Sequence, residues 1–113
     1  PIRNGKFTVL IIGFFPKYSN LEEKLLYELQ SEDINLILKN HPTQSGTCYN
    51  EMRKNYSFTF INSSIFPAAD IVISYDSTLA LEYESAGSRI LYYGDFDINQ
   101  IKEIIHQLQN EIQ

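Results

Sequence analysis

Ser74, Ser77, Thr78 and Glu82 stand within one short stretch, IVISYDSTLALEYESAG from Ile71 to Gly87. Their types and spacing describe an anion site with a second polar anchor beside it. The three hydroxyls fall where an apolar strand gives way to a helix, so free backbone N–H groups and the positive helix end coincide there. A phosphate is stabilised at such a place. Glu82 follows Thr78 by about one helical turn and so projects from the same side. A carboxylate there repels phosphate but accepts hydrogen bonds from the hydroxyls of a sugar. The pattern points to a nucleotide or nucleotide-sugar rather than a bare anion. Plain helix caps remain an alternative for Ser77 and Thr78, since both types are favoured there. An exposed helix position remains one for Glu82.

The rest of the chain must supply a scaffold for that turn, and it alternates strand and helix. Phe7 to Phe15 (FTVLIIGFF) is a continuous apolar run with β-branched residues, the pattern of a strand covered on both faces. Asn20 with Glu23 reads as a capping box, followed by a helical stripe of Leu21, Leu25, Leu26 and Leu29. Ile34 to Lys39 reads as the second strand, stopped by Pro42, and Tyr49 to Asn55 as a short helix. Phe58 to Ile61 is the third strand, and Ile65 to Ala69 one helical turn. Ile71 to Ser74 is the fourth strand, Ser77 to Ala86 a helix and Arg89 to Tyr93 the fifth strand. From Ile98 onward a final helix carries Ile101, Ile104, Ile105, Leu108 and Ile112 on one face. This order predicts a doubly wound, Rossmann-like α/β domain: a parallel sheet of about five strands with helices on both faces.

Ligands on such sheets bind beyond the carboxyl ends of the strands. That places Pro16-Lys17-Tyr18-Ser19, Lys39-Asn40-His41-Pro42, Asn62-Ser63-Ser64 and Ser74-Tyr75-Asp76-Ser77-Thr78 on one rim. Lys17, Lys39, His41 and the hydroxyls would form a local cationic, hydrogen-bonding site. His41 reads equally as a loop histidine bonding its own turn, and Lys39 as a solvated strand end. Glu84 and His106 read as solvated helix residues, and Cys48 as an incidental loop thiol.

Composition narrows the classes. The 113 residues, 43% hydrophobic and 20% charged, suit one soluble globular domain with a sizeable core. The net charge of −5 and the lack of a basic run argue against general nucleic-acid binding. The single cysteine cannot form an internal disulfide, which fits a reducing cytoplasm. The first residue is Pro1 and a buried-looking strand follows almost at once, which suggests a piece of a larger protein cut at a domain boundary, with a processed protein as the alternative. Two separated histidines and one cysteine give no metal-site spacing. No GxGxxG follows the first strand, and GxSxG is absent, against a dehydrogenase and a serine hydrolase.

KNHP after the second strand, with DIVISYDSTLALEYESAG and a final strand, resembles the C-terminal, donor-binding half of GT-B glycosyltransferases. The likeness is to bacterial capsule and surface-polysaccharide enzymes with HP and Ser-Thr motifs, polysialyltransferases and CDP-glycerol polymer transferases among them. It runs from about Phe7 to the last helix. The resemblance implies a CMP, UDP or CDP sugar as donor substrate, with no further cofactor. It implies that His41 meets the donor phosphate as charge develops, so His41 is the candidate catalytic residue. Ser77 and Thr78 would hold phosphate oxygens, Glu82 the ribose hydroxyls, and Lys39, Ser74 and Lys17 would complete the donor site. Gly87 would allow close packing of helix end and strand, in left-handed or Cβ-intolerant backbone. The glycan acceptor would come through an N-terminal domain across the cleft. The full-length protein would work in the cytoplasm, at the inner face of the membrane by peripheral association. Two departures stand out: Arg89 occupies a position where many relatives have proline, and GFFPKYSN lacks a glycine-rich phosphate cradle. The alternatives are a sugar-nucleotide epimerase-like domain, or a non-catalytic flavodoxin-like or receiver-like module.

Overall fold

A computed structural model describes residues 7–40, 45–62, 65–75 and 78–112, with the side chains of Gly46, Thr78 and Ile112 left aside. Among these residues five strands form one all-parallel sheet: β1 (Thr8–Ile12), β2 (Asn35–Lys39), β3 (Thr59–Ile61), β4 (Ile71–Ser74) and β5 (Arg89–Tyr92). Their order is β3-β2-β1-β4-β5. The helices are α1 (Ser19–Leu29), α2 (Asn50–Asn55, entered through a 3-10 turn at Gly46–Tyr49), α3 (Thr78–Ser85) and α4 (Ile98–Ile112). The sheet is therefore doubly wound, and its winding reverses between β1 and β4. That reversal opens a crevice at the carboxyl ends of the two strands.

The central strand shows how sequence becomes layers. All five residues of β1 are buried, and their side chains alternate between two cores. Val9 and Ile11 join Leu38, Ile71, Ile73 and the helices α1, α2 and α4 on one face. Leu10 and Ile12 join Ile37, Val72 and Tyr83 of α3 on the other. The first face is the thicker. Ile101 and Ile105 of α4 are buried there, each worth about 1.5–3 kcal/mol of transfer free energy. Lys102 Nζ donates to Glu28 at 2.9 Å, and His106 Nε2 meets Glu32 at 2.7 Å, tying α4 to α1.

Three expectations about local structure need correction. Asn20 and Glu23 form no capping box: the turn after β1 runs straight into the helix, with the Ser19 amide and hydroxyl both on the Pro16 carbonyl. Tyr18 stands at the N-cap without a side-chain cap bond, and Glu23 accepts instead from Tyr56 Oη at 3.1 Å. The buried stripe of α1 is also offset, because Leu21 is 42% exposed while Glu22 is fully buried with Leu25, Leu26 and Leu29. Finally, residues 65–69 form no helical turn. Phe66 precedes a proline and is pushed away from the α region, so the segment crosses the second face as irregular chain.

The stop after α3 is a Schellman arrangement. Gly87 N–H donates to Glu84 O and Ser88 N–H to Tyr83 O, with Gly87 at φ +102°. No atom beyond its chain neighbours lies within 4 Å of where its Cβ would be, so the positive φ rather than close packing requires glycine. Gly87→Ala is therefore expected to cost about 1–2 kcal/mol in urea unfolding. A neutral substitution would show that the turn relaxes freely.

Candidate functional site

Everything of interest at the carboxyl rim depends on how the first loop is held. Phe14 and Phe15 leave β1 just beyond Gly13, whose amide still donates to Lys39 O at 2.8 Å. Beneath this loop lies Glu22, brought inward by α1. It accepts from the Phe14 amide at 2.7 Å through Oε2 and from Tyr49 Oη at 2.8 Å through Oε1. Burial raises the Glu22 carboxyl above its usual range, with the two hydrogen bonds pulling the other way. The same burial, with the neighbouring carboxylate, drives the Tyr49 phenol far up. Glu22 is thus a positioning group, holding the loop from below. Its period with Leu25, Leu26 and Leu29 is the signal that marks it, once the stripe is counted from residue 22 rather than 21.

Above the loop the β1/β4 crevice is aromatic. Tyr18 after β1, Tyr75 after β4, and Tyr92 and Tyr93 at the end of β5 line a cavity of about 440 Å³. Tyr18 stacks on Tyr75 with centroids 5.6 Å apart and planes 14° apart, and meets Tyr93 at 4.9 Å. Tyr93 Oη donates to the Ile12 carbonyl at 2.7 Å, fixing the end of β5 to the end of β1 across β4. Burial raises the phenols of Tyr75 and Tyr93, so both remain neutral hydrogen-bonding groups. No single tyrosine marked this cluster in the sequence. Only the strand order unites residues 18, 75, 92 and 93.

A second concavity lies along α3. Phe66, Pro67, Leu79, Glu82, Tyr83 and Ser88 are among the residues that wall a groove of about 350 Å³. Its outer wall, the 66–69 segment, is tied down at two points. Tyr83 Oη donates to Pro67 O and Ser88 Oγ to Ala69 O, both at 2.7 Å. The buried Tyr83 phenol is pushed up to about 12. Glu82 is exposed and contributes the carboxylate of this mostly apolar groove. The groove and the tyrosine cavity share no lining residue among those described.

The remaining residues marked in the sequence are dispersed along the rim. Lys39 is 5% exposed, not a solvated strand end; burial lowers its ammonium, which lies 5.0 Å from the Phe66 ring centre. Lys17 is exposed and sits over Tyr18 at 5.3 Å. Ser74 is fully buried and donates to the Tyr75 carbonyl at 2.6 Å, so it shapes the turn from inside. Thr78 is the first residue of α3. His41, Ser63, Ser64, Asp76 and Ser77 lie outside the described residues. Among the described residues no three His, Cys, Asp or Glu side chains assemble as a metal site. No described helix is long and apolar enough to cross a membrane.

These features define a doubly wound α/β domain with an aromatic cavity at the strand-order reversal and an apolar groove along α3. Comparison with family models, with curated proteins and with solved structures finds no match to the chain.

Proposed function

We propose that the chain is the donor-binding domain of a nucleotide-sugar-dependent glycosyltransferase of the GT-B type, acting in bacterial surface-polysaccharide synthesis. The observation that carries this reading is the position of Glu82. It stands one turn into α3, on the wall of an apolar groove that runs along the helix from Leu79 to Ala86, and the helix itself begins at the carboxyl edge of the sheet. Phe66, Pro67 and Leu79 offer apolar surface for a base, Glu82 accepts from ribose hydroxyls, and the first amides of α3 receive phosphate. His41 would stabilise the departing phosphate, with Ser77 and Thr78 as further donors. The acceptor glycan would be held by an N-terminal partner domain, in the cytoplasm and at the inner membrane face.

The strand order bears on the competing reading. Flavodoxin-like and receiver modules follow the order 2-1-3-4-5, whereas this sheet runs β3-β2-β1-β4-β5, as the first five strands of a Rossmann sheet do. Titration with CMP, UDP and CDP, read by amide NMR shifts, tests the proposal. Saturable binding is expected, weakened about tenfold, or about 1.4 kcal/mol, by Glu82→Ala. If none of the three nucleotides binds at millimolar concentration, the reading fails.

A further inference from the structure

The tyrosine cavity at the β1/β4 reversal is separate from the Glu82 groove and has its own chemistry. Its described lining is four tyrosines, with the exposed Lys17 ammonium over the Tyr18 ring, 5.3 Å from its centre, as the charged neighbour. Each tyrosine presents an apolar ring and a hydroxyl tip, so the surface suits a ligand that is itself apolar on its faces and hydroxylated at its edge. Ring geometry separates the candidates. A planar base needs a slot between two parallel rings, but the two parallel rings here, Tyr18 and Tyr75, already pack on each other. A quaternary ammonium needs rings set around a void. Here Tyr93 is tilted toward the same pair, at 53° to Tyr18 and 39° to Tyr75, so the three rings pack on one another rather than standing apart as the walls of a cage. What they form is a platform edged with hydroxyls, held rigid from below by the Tyr93–Ile12 bond. The cavity volume of about 440 Å³ lies within the ordinary range for small-molecule sites.

We propose that this cavity is a carbohydrate subsite that takes an uncharged pyranose, its C–H face on the tyrosine rings and its hydroxyls toward the phenolic oxygens. Binding here stands on the ring arrangement alone and holds whether or not the Glu82 groove takes a nucleotide. The chain has 8 tyrosines and no tryptophan, so the four in the cavity report directly in tyrosine fluorescence.

The test titrates the protein, without nucleotide, with the methyl β-glycosides of glucose, galactose and N-acetylglucosamine. Tetramethylammonium and adenosine are run alongside, with fluorescence and the amide shifts of Tyr18, Tyr75, Tyr92 and Tyr93 as readouts. At least one glycoside is expected to saturate at millimolar concentration. Tyr75→Ala should weaken it at least tenfold and Tyr92→Ala about fivefold, while Tyr27→Ala, on α1 against Tyr56, should leave it unchanged. The Tyr92 variant serves if Tyr75→Ala does not fold. Absence of saturation by all three glycosides overturns the proposal. So does equal binding by wild type and the folded cavity variants, or saturation by tetramethylammonium or adenosine alone.

Discussion

Replacing Glu22 by alanine should lower the unfolding free energy by about 3–5 kcal/mol, measured by urea denaturation. The part-buried Phe14 amide and the fully buried Tyr49 hydroxyl would both lose the Glu22 acceptor, and a cavity would open beneath the first loop. Glu22→Gln keeps the shape and one acceptor oxygen, so its loss should be nearer about 1 kcal/mol. The pH dependence has a definite sign. Because burial raises the folded-state value above the ordinary 4.5, the native carboxyl holds its proton more tightly than the unfolded chain does. Its contribution to stability is complete below the unfolded value and is lost as pH rises through the folded one. Wild type should therefore gain on Glu22→Gln as the pH falls from 7 toward about 4.5. An alanine variant less than about 1 kcal/mol below wild type would mean that Glu22 does not hold the loop.

Gly13→Ala should cost about 1–3 kcal/mol by overpacking, because the new methyl would collide with Tyr49 Oη, with Glu22 Oε2 only 3.3 Å away. This glycine is required for space, not for its dihedral angles. Tyr49→Phe removes the colliding oxygen while losing the bond to Glu22. The two changes share one contact, so they should not add. The double variant is expected to be more stable than the sum of the singles by about 1 kcal/mol. Strict additivity would place the cost of Gly13→Ala elsewhere in the loop.

The sheet was legible because β1, β2 and β4 are buried on both faces, which forces uninterrupted apolar runs with turn residues between them. Errors arose where tertiary contact outranked a local pattern. Asn20 and Glu23 carry the spacing of a capping box, but the Pro16 turn delivers the chain into α1 at Ser19, two residues too early for it. Ile65 to Ala69 has apolar content enough for a helical turn, yet Pro67 governs the backbone of Phe66.

The candidate site was half visible. Glu82 could be placed because its partner features, the strand end and the helix start, lie next to it in the chain. Glu22 was masked by an adjacent leucine that made the stripe look complete one residue early. The tyrosine platform was invisible for a different reason. Residues 18, 75 and 92–93 stand at or beyond the ends of three separate strands, and only the order β1-β4-β5 makes them neighbours.

That same placement sets when the domain can fold during synthesis. The central strand pairs on one side with β2, 27 residues along, and on the other with β4, 62 residues along. A nascent chain can join β1 to β2 early, but one edge of β1 then stays unpaired until Ile71–Ser74 leaves the ribosome. An unpaired edge of that apolar strand is a template for aggregation. Its closure brings Tyr75 against Tyr18, so the step that pairs this edge also begins the rim, which β5 completes with Tyr92 and Tyr93.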